Sequence, residues 1–229
     1  MLLRAMPNGK RPFWTYGFVA VCVAVYLIDC LSAFWLYGWQ MGHYNGILTQ
    51  WGMRYNPAIA YGQYWRLLTP MFLHSGVMHL VMNMFALLVW GPMVEYMYSG
   101  PKYALILVGA SVLGCLAGFA FSSYTAVGAS AAVYGMMGAI LSIRKHNRLF
   151  FERFFGTTIL VYVVISIAMG FLQGSVDNLG HIGGLIGGYL LGVASGFGAV
   201  RAAVPVRIGA VLAFLLLGAV GMMVGLARF

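Results

Sequence analysis

Residues 127–140 read VGASAAVYGMMGAI, from Val127 to Ile140. Ser130 and Tyr134 carry the only hydroxyls in this run, and Gly128, Gly135 and Gly138 punctuate it. An apolar, glycine-spaced segment of this kind belongs in a membrane helix packed closely on another helix. A hydroxyl can sit there harmlessly by bonding back to a carbonyl of its own helix, so Ser130 alone points to no chemistry. It becomes a candidate nucleophile because other polar residues fall at matching depth in other spans.

The rest of the chain supports the membrane setting. Of 229 residues, 62% are hydrophobic and only 7% are charged, with a mean hydropathy of +0.88. Soluble domains average about 25% charged, so an ordinary soluble domain is excluded. At ~20 apolar residues per span, seven candidates emerge: 14–36, 75–96, 102–122, 126–143, 157–174, 178–198 and 207–227. The chain therefore reads as an all-α polytopic membrane protein. A short basic segment, 1–13, precedes a core at 14–198, and 199–229 holds a basic loop and a seventh span. The long first connection, 37–74, is rich in Trp, Tyr, Gly and Asn, which suits partly embedded interfacial structure.

The first span is read as retained, because its long apolar run lacks a small-x-small cleavage site and Asp29 spoils the lipobox-like LIDC ending at Cys30. Cys22, Cys30 and Cys115 lie in apolar runs without CxxC spacing and read as packing residues. No metal site is expected: there is no HExxH, and His74 and His79, five residues apart, are poorly spaced for shared ligation.

The net charge of +9 does not point to nucleic acid, because the cations lie in short loops between apolar runs and not along one face. They read as topology signals. With a cytoplasmic N-terminus, Arg4, Lys10, Arg11, Lys102, Arg144, Lys145, Arg148, Arg153, Arg201 and Arg207 all lie inside. Arg54, Arg66 and Arg228 lie outside, as does the C-terminus. The second, fourth and sixth spans then all run inward from the outer face. Their early turns carry His79 and Asn83, Ser130 and Tyr134, and His181, roughly 5–10 Å below the boundary. Polar side chains within spans normally face the bundle interior or a water-filled cavity, so their convergence implies one cavity.

His79 and Asn83, at i and i+4, share a helix face and can aim two donors at one developing oxyanion, or can simply bond neighbouring helices. His181, Gly184 and Gly188 lie on one face of the sixth span, and Gly128, Gly135 and Gly138 answer from the fourth. Such small-residue faces let two helices approach until Ser130 meets the imidazole, which supplies the neutral base a serine nucleophile needs. The alternative is a glycine zipper with His181 as polar glue. Asp177, four residues before His181, reads as an N-cap, which leaves a Ser-His dyad in place of a triad. Tyr134, one turn below Ser130, is placed to stack on the imidazole. Glu95 reads as a structural contact at the cytoplasmic end.

Together these segments resemble the rhomboid family of intramembrane serine proteases. The matching pieces are WRLLTPMFLHSGVMHLVMNMFAL, GPMVE, GASAAVYGMMGA and GHIGGLIGG, covering about residues 64–192. The resemblance implies a rhomboid-like bundle of six core helices plus one at the C-terminus, with Ser130 as nucleophile and His181 as general base. It implies an oxyanion hole from the Ser130 amide, His79 and Asn83, with Tyr134 beneath the histidine and Gly128, Gly184 and Gly188 in support. The implied substrates are single-span transmembrane proteins that enter laterally from the lipid bilayer and have small or helix-weakening residues near the outer end of their span. No metal or organic cofactor is implied. The family's usual GxSG becomes Gly128-Ala129-Ser130-Ala131 here, which bears on rate and substrate fit.

The alternatives are a non-catalytic relative that binds transmembrane segments and, from a different class, a small-molecule transporter. The latter favours midplane sites and internal repeats, neither of which the chain shows. The compact chain points to the bacterial plasma membrane.

Overall fold

The computed structural model describes residues 11–37, 44–174, 176–197 and 201–229. Most of the basic segment 1–13, with Arg4 and Lys10, and residues 38–43 of the first connection lie outside that set. The described chain is helical: α1 (Phe13–Tyr37), α2 (Tyr44–Trp51), α3 (Asn56–Ala60), α4 (Val77–Tyr98), α5 (Gly100–Phe121), α6 (Ser130–His146), α7 (Arg148–Phe154), α8 (Thr158–Gln173), α9 (Asn178–Ser195) and α10 (Val204–Ala227). Two 3₁₀ turns, Tyr64–Leu67 and Thr69–Phe72, lead from α3 to α4.

Four of these helices, α1, α4, α5 and α10, are long and apolar enough to cross a membrane on their own. α7 and α8 pass the same test together, with a 67° bend between them. The remaining expected spans are shorter or more polar. α6 has 17 residues and α9 has 18, which at 1.5 Å per residue is roughly 25–27 Å, less than the ~30 Å hydrocarbon core. They can be short because protein surrounds them. Every residue from Ala132 to Ile140 of α6 is buried, and α9 packs mainly on α5 and α6.

α9 has two glycine faces. A β-carbon on Gly183 would lie 2.9 Å from the Leu113 carbonyl oxygen of α5, and one on Gly187 would lie 3.2 Å from Ala110 Cα. On the other side, Gly184, Gly188 and Gly192 meet α6, where a β-carbon on Gly184 would strike the Ala131 carbonyl and one on Gly188 that of Gly135. Backbone thus touches backbone along both seams, the close approach that small residues permit.

The expected span at 126–143 begins later than the apolar run does. Gly128 has φ +116, outside helical geometry, and its N–H donates to the Pro70 carbonyl at 2.8 Å. Ala126 forms an antiparallel bridge with Arg54, with N–H to carbonyl distances of 2.9 and 3.2 Å. Residues 126–129 therefore lie outside the helix and are tied to the first connection, and Ser130 is the first residue of its helix. That connection is itself ordered by side chains. Arg66 donates through Nε to Gln63 at 2.6 Å and through Nη1 to the carbonyls of Thr49 and Met53 at 2.8 and 3.0 Å. Trp35, Tyr61 and Trp65 stay exposed around it, as aromatic rings at a membrane–water boundary do.

At the opposite end of the bundle, Glu95 of α4 accepts the backbone N–H groups of Trp14 and Thr15 at 3.1 and 2.9 Å and the Thr15 hydroxyl at 2.8 Å. The first turn of a helix has unpaired N–H donors and a partial positive charge, and a carboxylate from another helix satisfies both here.

Candidate active site

α6 and α9 are close enough for their first turns to meet. His181 Nε2 lies 2.8 Å from Ser130 Oγ, with the hydroxyl able to donate to an unprotonated Nε2. The Tyr134 ring stacks on the imidazole, with centroids 4.4 Å apart and planes 21° from parallel. Four residues separate Ser130 from Tyr134, so one face of α6 presents the hydroxyl and, one turn deeper, the ring. Among the described residues no group bonds His181 Nδ1. The imidazole is therefore held by its serine contact and by stacking.

His79 and Asn83 face the same cavity from α4. His79 Nδ1 lies 3.0 Å from Ser75 Oγ, and Asn83 Nδ2 donates to the His79 carbonyl at 3.0 Å. Gly128 fits between α4 and Ser130. A β-carbon there would lie 2.6 Å from His79 Nε2 and 3.5 Å from Asn83 Nδ2, so both nitrogens flank the backbone two residues ahead of the serine. The sequence expectation set Gly128 beside Gly135 and Gly138 as a glycine facing the sixth span. It faces His79 instead, because its positive φ ends the helix before reaching it. His74, in the loop ahead of α4, is buried with its ring 5.3 Å from that of His79. Burial, helped by the neighbouring His79, pushes its imidazole down to about 4, so it is neutral at physiological pH.

Asp177 holds the position before α9, but its side chain caps no N–H. It pairs with Arg54 instead, Nη1 to Oδ2 at 2.6 Å, with the Arg54 side chain fully buried and that of Asp177 15% exposed. The sequence reading set Arg54 with Arg66 and Arg228 as outer-face cations and missed this pairing. The sequence reading missed Ser75, and its i, i+4 relation to His79 is the signal that could have found it. Ala131 points its methyl at α5, and Gly114 leaves the room for it: a β-carbon on Gly114 would lie 2.9 Å from that of Ala131 and 2.6 Å from the Gly180 carbonyl oxygen.

Ser75, His79, Asn83, Ser130, Tyr134 and His181 line a cavity of ≈ 610 Å³ whose other walls include Met82 of α4 and Met169 of α8. Among the described residues no cluster of three metal-ligating side chains occurs.

The fold and the site define a polytopic helical membrane protein with a serine hydroxyl and an imidazole paired inside the bundle. Comparison with known proteins gives the family. A Rhomboid domain family model matches residues 61–196. The chain is 40% identical over 190 residues to Rhomboid protease GluP of Bacillus subtilis (strain 168), covering 82% of this chain and 36% of that protein. It is 40% identical over 134 residues to RHOMBOID-like protein 6, mitochondrial, of Arabidopsis thaliana, covering 56% and 42%. It is 32% identical over 154 residues to Rhomboid-like protease 1 of Toxoplasma gondii, covering 64% and 52%. The chain belongs to the rhomboid family. It spans between 36% and 52% of the length of these three relatives.

Proposed function

We propose that this protein is an intramembrane serine endopeptidase that cleaves single-span transmembrane proteins through a Ser130–His181 dyad. The observation that carries the proposal is the 2.8 Å separation of Ser130 Oγ and His181 Nε2 on the wall of a cavity inside an apolar bundle. His181 Nε2 takes the hydroxyl proton as Ser130 Oγ attacks a peptide carbonyl, then gives that proton to the leaving amine. The remaining acyl-enzyme is released by water activated by the same imidazole.

The oxyanion of each tetrahedral intermediate forms near the N-terminus of α6. There the Ser130 N–H is unused by the helix, and the helix dipole favours negative charge. His79 and Asn83 supply two further donors beside Gly128. Asn83 keeps one amide N–H after its bond to the His79 carbonyl. A Ser75 hydroxyl donating to His79 Nδ1 fixes the tautomer that carries its proton on Nε2, facing Gly128.

With the N-terminus cytoplasmic, the cavity opens toward the outer face of a bacterial plasma membrane, where water for the second step is at hand. Substrate enters from lipid between α4 and α8, whose side chains form one wall of the cavity. A peptide bond inside a helix is shielded, so the substrate segment unwinds locally before attack, which favours spans with small or helix-weakening residues near their outer end. The non-catalytic alternative predicts binding of such spans with no dependence on Ser130.

The test is labelling of purified protein with a serine-reactive fluorophosphonate, alongside cleavage of a single-span reporter in proteoliposomes. Wild type should label and cleave, and Ser130→Ala and His181→Ala should do neither. Folded wild type that neither labels nor cleaves, yet retains the reporter, would establish the binding protein.

A further inference from the structure

Dyad chemistry needs two segments held against each other, the non-helical stretch that leads into Ser130 and the turn that begins α9. One residue outside both touches the two. The backbone of Arg54 pairs in both directions with Ala126, four residues ahead of Ser130. Its side chain crosses to the other segment, with Nη1 2.6 Å from Asp177 Oδ2 and Nη2 donating to the Tyr124 carbonyl at 2.7 Å. The Asp177 carbonyl in turn accepts the N–H of His181 at 3.0 Å. The guanidinium lies against α5 at Gly118, where any β-carbon would collide with Nη1. Gly118 thus leaves the room that a fully buried arginine needs.

We propose that Arg54 and Asp177 are a positioning pair that sets the approach of Ser130 to His181, an inference that rests on the hydrolase reading above. Neither residue touches the dyad's reacting atoms. Arg54 joins the first connection, the segment 124–126 and the start of α9 at one point, so a shift there changes the Oγ to Nε2 separation. The fork geometry of arginine serves two differently placed acceptors at once, which the single ammonium of lysine does not reproduce. Arg54 is fully buried and Asp177 mostly so, and removing one charge leaves the other unpaired and free to draw water into the junction.

The test compares wild type with Arg54→Lys, Asp177→Asn, the double variant Arg54→Met with Asp177→Leu, and Glu95→Gln. The last breaks a buried network at the far end of the bundle and controls for general destabilisation. For each, the fluorophosphonate labelling rate at saturating reagent, the half-saturating concentration and the unfolding temperature are measured, with labelling done well below the lowest unfolding temperature. Arg54→Lys and Asp177→Asn should slow labelling on the order of 10- to 100-fold with half-saturation unchanged. Glu95→Gln should lower the unfolding temperature and label at the wild-type rate. The double variant, which carries no orphan charge, should regain unfolding temperature without regaining rate.

Wild-type labelling rates in both single variants overturn the proposal. So do rates that track unfolding temperature across the whole set, Glu95→Gln included. A wild type that fails to label removes the hydrolase reading and, with it, any positioning role, a pattern distinct from selective failure of the variants.

Discussion

Replacing Gly128 by alanine probes the site through one methyl group. The residue has φ +116, a conformation in which an L side chain is strained by about 1–3 kcal/mol. The added carbon would also lie 2.6 Å from His79 Nε2 and 2.8 Å from His79 Cε1. Ordinary contact begins at 3.4 Å, so the ring or the Gly128 backbone must give by about 0.8 Å. Neither moves freely: the ring is held through Nδ1 by Ser75 and packs edge-on against the buried His74, and the backbone is held by the Gly128 N–H to Pro70 bond. A displacement approaching 1 Å at a catalytic centre lowers rate by roughly 100-fold, and loss of one oxyanion donor has an effect of roughly 100- to 1000-fold. Gly128→Ala should therefore cleave a single-span reporter at about one hundredth of the wild-type rate, while unfolding only about 1–3 kcal/mol more easily. Measuring kcat and KM in proteoliposomes together with detergent unfolding separates the two effects. Wild-type kcat in a folded Gly128→Ala protein would refute the placement of His79 beside the reacting carbonyl.

Two other substitutions test neighbouring parts of the argument. Ser75→Ala removes the partner of His79 Nδ1 and should lower kcat about 2- to 10-fold with little change in KM, the effect of one ordinary hydrogen bond, read from the same cleavage assay. Gly188→Ala places a carbon 2.5 Å from Gly135 Cα, between two backbones that cannot yield, so α6 and α9 must part. It should destabilise by about 1–3 kcal/mol in thermal unfolding and slow fluorophosphonate labelling, because the same seam sets the distance from Ser130 to His181.

The bundle and the pairing of Ser130 with His181 were legible because both depend on patterns that survive without coordinates. Apolar length marks spans, and glycines at three- and four-residue spacing mark the faces that touch. The start of α6 was not legible, since Ala126, Val127, Gly128 and Ala129 are as apolar as the helix they precede. Only the backbone bridge to Arg54 and the φ of Gly128 separate them from it. Asp177 misled for a related reason. An aspartate one residue ahead of a helix is the usual sign of an N-cap, and nothing local reveals an arginine 123 residues away that takes its carboxylate. Glu95 was placed as a structural contact, but its partners, the amides of Trp14 and Thr15 and the Thr15 hydroxyl, lie some 80 residues off and nothing local to Glu95 reveals them.

The fate of Asp177 bears on how the dyad works. It is the acidic residue nearest His181 in sequence, and in a triad a carboxylate at Nδ1 would orient the ring and offset the imidazolium charge that develops during attack. Here that carboxylate is held by Arg54 at 2.6 Å, and Nδ1 has no bonded partner among the described residues. Orientation comes instead from the Tyr134 ring stacked at 4.4 Å, and the approach distance from the junction that the ion pair holds. Inside a bundle this division is physically reasonable. A carboxylate against the imidazole would carry an unpaired charge into low dielectric whenever the site rested, whereas the Arg54–Asp177 pair keeps both charges neutralised throughout the cycle. What the dyad gives up is stabilisation of the imidazolium, so under the proposed mechanism its rate rests more heavily on the oxyanion donors at Ser130, His79 and Asn83.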